Sequence, residues 1–151
     1  MTRIWVTPKT TLAVGTSIYA AGDALGAKAS VKVPNSGIIR AIAVTDVDDE
    51  ASVDVRVWLF ESEPTGIAAN AAFALADADL LLVQGVVDLN STDDAHEYDA
   101  INGRAKYRTG LAIPYRVADE DGLLHFQCEC EAGTPTFTAT TDVAVQFFIE
   151  W

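Results

Sequence analysis

At 151 residues the chain is about one domain long, enough to bury a core without disulfides or a metal. Half its residues are hydrophobic and 21% are charged, a globular composition that argues against disorder. The net charge of −12 argues against nucleic acid as a partner, because binding phosphates needs a cationic surface.

The apolar residues recur mostly with period two, the mark of strands. In chain order, short strands are predicted at residues 4–6, 10–14, 29–33 and 38–45, with residues 1–15 forming either part of the domain or an N-terminal arm. Turns fall at Gly22-Asp23 and at Pro34-Asn35-Ser36-Gly37, residue types that accept tight-turn geometry. Asp46-Val47-Asp48-Asp49-Glu50 resembles the start of a calcium loop. Ala51 and Val57 stand where such a loop needs glycine and glutamate, so it reads as an acidic turn, with an incidental cation site as the alternative.

Residues 51–60 form a clear strand. Ala51, Val53, Val55, Val57 and Leu59 make one face; Ser52, Asp54, Arg56, Trp58 and Phe60 make another that begins polar and ends aromatic. That second face predicts a strand running from an exposed edge into a covered region. Residues 68–76 read as a loop crossing one end of the fold. A short helical turn is predicted near 76–82, with Asp77 as its cap.

Further strands are predicted at 84–89 and 112–115. Residues 90–110, the least apolar long stretch, read as a surface excursion between them. Asp119-Glu120-Asp121-Gly122 reads as a hairpin turn with Gly122 in the left-handed conformation. In the next strand Leu124, Phe126, Cys128 and Cys130 face the core, while His125, Gln127, Glu129 and Glu131 form a solvated face. The last strand alternates Val143, Val145, Phe147, Ile149 and Trp151 with Ala144, Gln146, Phe148 and Glu150. Short strands at such intervals predict an all-β fold, a sandwich or a barrel, in a single domain.

No apolar run approaches the roughly 18–20 residues that span a bilayer, and residues 1–25 lack the apolar core of a signal peptide. The expectation is synthesis in the cytoplasm, with no membrane partner.

Chemistry is sparse. Cys128 and Cys130 sit two apart, too far along a strand for an unstrained disulfide. They read as small core residues. The alternative, half a metal site, is short of ligands, since the only histidines are His96 and His125 and the latter faces the other way. There is no phosphate loop, nucleophile elbow or histidine pair at metal spacing. The expectation is no enzyme, no cofactor and no metal.

Charge is distributed unevenly. Residues 1–40 hold Arg3, Lys9, Lys28, Lys32 and Arg40 against Asp23 alone, a balance of +4; the remaining 111 hold five bases and 21 acids, or −16. Either these bases neutralise acids of their own fold, or they form a basic foot for an acidic partner. Trp5, Trp58 and Trp151 lie near strand ends, as core caps or as interface anchors. The candidate partner-binding set is Arg3, Trp5, Lys9, Lys28 and Lys32.

Tyr19-Ala20-Ala21-Gly22-Asp23-Ala24-Leu25-Gly26 resembles a Tyr-x-x-Gly-Asp-x-Leu-Gly signature of small structural proteins of tailed bacteriophages. The order of later segments is similar too: the aliphatic strand ending at Asp46, then Trp58-Leu59-Phe60-Glu61-Ser62-Glu63-Pro64-Thr65, residues 71–79, Gly85-Val86-Val87 and Gly133-Thr134-Pro135-Thr136-Phe137. The likeness covers about residues 10–149. It implies an all-β, two-layer antiparallel sandwich of jelly-roll type and a virion protein, a decoration or cement protein on the capsid exterior, made in the host cytoplasm. It also implies the major capsid protein as partner and a homotrimer as assembly. The alternatives are a tail, baseplate or head-fibre component, and a carbohydrate-binding sandwich using Tyr98, Tyr107 and Tyr115.

Overall fold

A computed structural model describes residues 1–48, 53–90, 95–100, 103–118 and 120–151. In chain order the elements are β1 (Ile4–Val6), β2 (Thr10–Thr11), β3 (Asp23–Ala24), β4 (Ala29–Lys32), β5 (Ser36–Asp46), β6 (Asp54–Phe60), α1 (Asp77–Leu80), β7 (Val83–Leu89), β8 (Ala95–Ala100), β9 (Gly103–Arg108), β10 (Ile113–Arg116), β11 (Leu123–Ala132) and β12 (Val143–Glu150). They form two antiparallel sheets packed face to face. The first runs β1-β12-β5-β9-β8, with β2 also on β12 and β10 also on β5; the second runs β3-β11-β6-β7, with β4 also on β11.

Pairing is nested. The start of the chain pairs with its end: β1 and β2 lie on β12, β3 and β4 on β11, β10 on β5, and β7 on β6. Successive pairs alternate between the two sheets, which is the jelly-roll arrangement. The β8–β9 hairpin is an insertion that widens the first sheet.

The core follows from alternation. Val143, Val145, Phe147 and Ile149 of β12 are buried, as are Leu124, Phe126, Cys128 and Cys130 of β11 and Val55, Val57 and Leu59 of β6. The Phe126 and Phe147 rings meet edge to face across the sheets at 5.0 Å. Burying one such side chain contributes roughly 1.5–3 kcal/mol. Residues 1–15 are not an arm: β1 and β2 pair with β12, and Leu12 and Val14 are core residues.

Several sequence expectations need correction. The predicted solvated face of β11 is largely covered: Gln127 is fully buried and His125 nearly so. What covers it is the segment after β6, which runs over the outer side of the second sheet instead of crossing its end. Gln127 Nε2 donates to Ile67 O (2.6 Å) and Gly26 O (3.1 Å), and Ile67 N donates to Gln127 Oε1 (3.1 Å). Trp58 stacks on Phe73 of the same segment at 5.4 Å. The strand at 51–60 does pass into a covered region, as its aromatic end predicted; Ala51 and Ser52 lie outside the described residues.

The helical turn is present, but Asp77 does not cap it. Ala76 is the N-cap, without a side-chain bond. The buried acid is Asp79, whose Oδ1 accepts from Thr65 N at 2.8 Å and so ties the covering segment together. The predicted excursion at 90–110 contains the β8–β9 hairpin. Trp151 does not continue the buried row of β12; it is 47% exposed.

Candidate interaction surface

The signature residues at 19–26 build a corner. Tyr19 is buried against Phe137, with ring centroids 5.7 Å apart, and its hydroxyl accepts from Gly15 N at 2.5 Å. Asp23 Oδ2 accepts from Ala20 N at 2.7 Å, closing the turn. Gly22 (φ 90°) and Gly26 (φ 84°) hold the left-handed conformation that other residues resist. A Cβ on Gly26 would also approach Leu12 Cβ to 3.0 Å. Leu25 anchors the corner in the core. This constellation shapes the chain and presents no reactive group.

Three of the five candidate partner-binding residues gather about one groove, between the β1 edge of the first sheet and the end of β4 in the second. Arg3 and Trp151 exchange backbone hydrogen bonds at 3.1 and 3.0 Å, and the Arg3 guanidinium lies 5.4 Å from the centre of the Trp151 ring. Trp5, Lys32, Val33, Pro34, Asn35, Ser36 and Trp151 line an open groove of about 460 Å³. Trp5 is 41% exposed, and the Lys32 side chain is exposed beside it.

Lys9 is exposed between β1 and β2 and does not line the groove. Lys28 is engaged elsewhere: its Nζ pairs with Glu63 at 2.8 Å and donates to Pro64 O at 2.7 Å. Arg40 pairs with Glu150. The bases of the N-terminal part therefore divide into two groups. Lys28 and Arg40 neutralise acids of the fold, while Arg3 and Lys32 border the groove.

Trp151 belongs to this site; the alternation of β12 sets it in a core row, while its place near a strand end left core cap and interface anchor both open. The signal was its position, one residue past the end of β12. Trp58 is the reverse case, since its Nε1 donates to Glu129 at 3.0 Å under the covering segment.

The other candidates are structural. Cys128 and Cys130 are free, buried thiols. Burial pushes Cys128 up to about 12; burial, then Asp23, Asp54 and Glu129, pushes Cys130 up to about 11. At neutral pH both are un-ionised and weak as nucleophiles or metal ligands. Of the acidic turn at 46–50, Asp49 and Glu50 lie outside the described residues. Asp48 ties the turn to the loop before β12, its Oδ2 accepting from Thr138 N at 2.7 Å. No cluster of potential metal ligands occurs among the described residues. The three tyrosines of the carbohydrate alternative are split. Tyr115 is buried, donates to Pro34 O at 3.0 Å and is pushed up to about 12 by burial, while exposed Tyr98 meets half-buried Tyr107 edge to face at 5.9 Å.

No protein-family profile matches the chain, and no curated protein matches it in sequence.

Proposed function

We propose that the protein is a structural component of a tailed-bacteriophage virion, a decoration protein that seats on the major capsid protein as a homotrimer. The observation that carries the reading is the groove at the β1 edge, where two half-exposed tryptophans stand beside Arg3 and Lys32 on a chain of net charge −12. Tryptophan and arginine are the side chains that dominate binding energy at protein interfaces. A basic contact on an acidic body orients it toward an acidic partner and raises the encounter rate. The resemblance at residues 19–26 points to the virion, and the jelly roll supplies a rigid body with its edge free for contact. Three such contacts on one rigid trimer gain in avidity when all engage together.

The test is sedimentation with purified capsids that lack the protein. Trp5→Ala and the double variant Arg3→Gln, Lys32→Gln should each weaken binding, and the double variant should show a shallower salt dependence than the parent. Light scattering should give about three times the 16.1 kDa chain mass. A chain that never sediments with capsids overturns the reading.

A further inference from the structure

The edge strand β1 departs from the way edge strands are usually protected. Natural proteins blunt exposed edges with charge, proline or a cover, because unpaired backbone groups recruit another strand. At the opposite edge of the same sheet, β8 carries Glu97 and Asp99 in its sequence. At β1 the residues are Ile4, Trp5 and Val6, exposed by 64, 41 and 51%.

The ladder to β12 fixes which backbone groups are free. Arg3 exchanges bonds with Trp151, and Thr7 N donates to Phe147 O. The register pairs Trp5 with Ile149 between them. In an antiparallel pair the bonded residues alternate, so the odd-numbered residues turn their N–H and C=O toward β12. Those of Ile4 and Val6 point away from the sheet. Side chains alternate with the same period. Ile4 and Val6 share the outer face with Glu150 and Phe148, while Arg3 and Trp5 lie on the groove side with Lys32.

We propose that β1 is a strand-addition site for an extended segment of a partner protein in which apolar residues alternate with acidic ones. The segment would take its backbone bonds from Ile4 and Val6. Its apolar side chains would lie beside Ile4 and Val6, and its carboxylates on the other face, beside Arg3, Trp5 and Lys32. Backbone bonds supply the affinity and alternate side chains the specificity, as in other strand-addition complexes. Local charge selects this occupant over a second copy at this edge: pairing β1 with itself would bring the Arg3 and Lys32 of two copies together. The inference rests on the edge geometry and names the segment that the capsid reading leaves open.

The experiment uses the full chain, ¹⁵N-labelled, titrated with a short peptide alternating Glu and Val. Exchange of the Ile4 and Val6 amides should slow by about tenfold or more on saturation. The Trp5 and Trp151 indole signals should shift. A matched Lys/Val peptide should leave both unchanged. Val6→Pro should abolish binding without lowering the unfolding midpoint, because proline is tolerated at an edge where the N–H faces solvent. Ile4→Pro is the second variant should the first unfold the edge. Failure of the Glu/Val peptide to bind, or equal binding by a folded proline variant, overturns the proposal. So does a free protein whose Ile4 and Val6 amides are already protected in a dimer. If Val6→Pro sediments with capsids while Trp5→Ala does not, strand addition is overturned and the capsid reading stands.

Discussion

The two outer faces of the sandwich are built from similar alternating strands and end in opposite conditions. On the second sheet the outer residues of β6 and β11 lie beneath or beside the chain's own covering segment. Gln127 is sealed by three hydrogen bonds, Trp58 is stacked, and Arg56 reaches Asp88 at 2.6 Å and Glu131 at 2.7 Å. The hydrogen bond to Asp88 raises the Arg56 pKa, and burial raises that of Glu131. On the first sheet the register lines up Val6, Phe148 and Ala41 in one row, then Gln146, Ala43 and Tyr107, then Ala144, Thr45, Ala105 and Tyr98. The charged pair at the end of that stretch is Arg40 with Glu150. One face is finished by the chain itself; the other is poor in charge and bounded by the open β1 edge. The difference teaches that polarity along a strand does not reveal exposure. The polar face is the covered one.

The largest expected effect belongs to what the faces share. Phe126→Ala and Phe147→Ala should each cost about 3–5 kcal/mol in urea unfolding, with no preference for either sheet. Because the rings touch, the double variant should cost less than the two singles together. A loss under about 1 kcal/mol at either site would mean that the sandwich does not close on that side.

The covered face comes next. Gln127→Leu leaves Ile67 N, Ile67 O and Gly26 O without partners and should cost about 2–4 kcal/mol. A near-neutral result would show the covering segment to be loosely held, and the contrast between the faces would fail.

Alkaline pH separates core from surface. Tyr115, Cys128 and Cys130 have pKa values raised in the fold, so the folded state holds their protons more tightly than the unfolded chain does. Their contribution to stability is complete below the unfolded values, 9.0 for the thiols and 10.0 for the phenol, and is lost as pH rises toward 11–12. The unfolding midpoint should therefore fall across that window. Tyr115→Phe should flatten part of the fall at a cost of about 1 kcal/mol for the lost bond to Pro34. Both thiols should resist a thiol reagent until the protein unfolds.

The smallest effect is expected on the bare face. Thr45→Lys should change chain stability by no more than about 1 kcal/mol, since Thr45 is half-buried on the outer face and touches no buried polar network. Should it instead split an oligomer in light scattering, this face is where subunits meet.

Much of the fold was legible because β6, β11 and β12 alternate cleanly and the turns carry glycine. The β8–β9 hairpin was not. By register its inward positions are Arg104, Lys106 and Arg108, the reverse of the usual pattern. Lys106 is tolerated there because Asp54, Glu97 and Val53 O surround its Nζ at 3.0, 3.2 and 2.7 Å. Those partners come from β6, β8 and the residue preceding β6, which no local pattern brings together. Of the candidate site, the residue types were legible and the grouping was not. Lys28 and Lys32 are four apart in the sequence, yet one is tied to Glu63 while the other borders the groove.

The sequence by itself determined the all-β class, the core faces of three strands, the burial of both cysteines and the turn at Gly22, because each depends on local periodicity or on one residue's backbone freedom. Tertiary structure decided the rest: that Gln127 is buried and Trp151 exposed, and that Arg3, Trp5 and Lys32 gather about one groove. Burial and proximity depend on which distant segment packs against a strand, and β12 meets β1 from the other end of the chain.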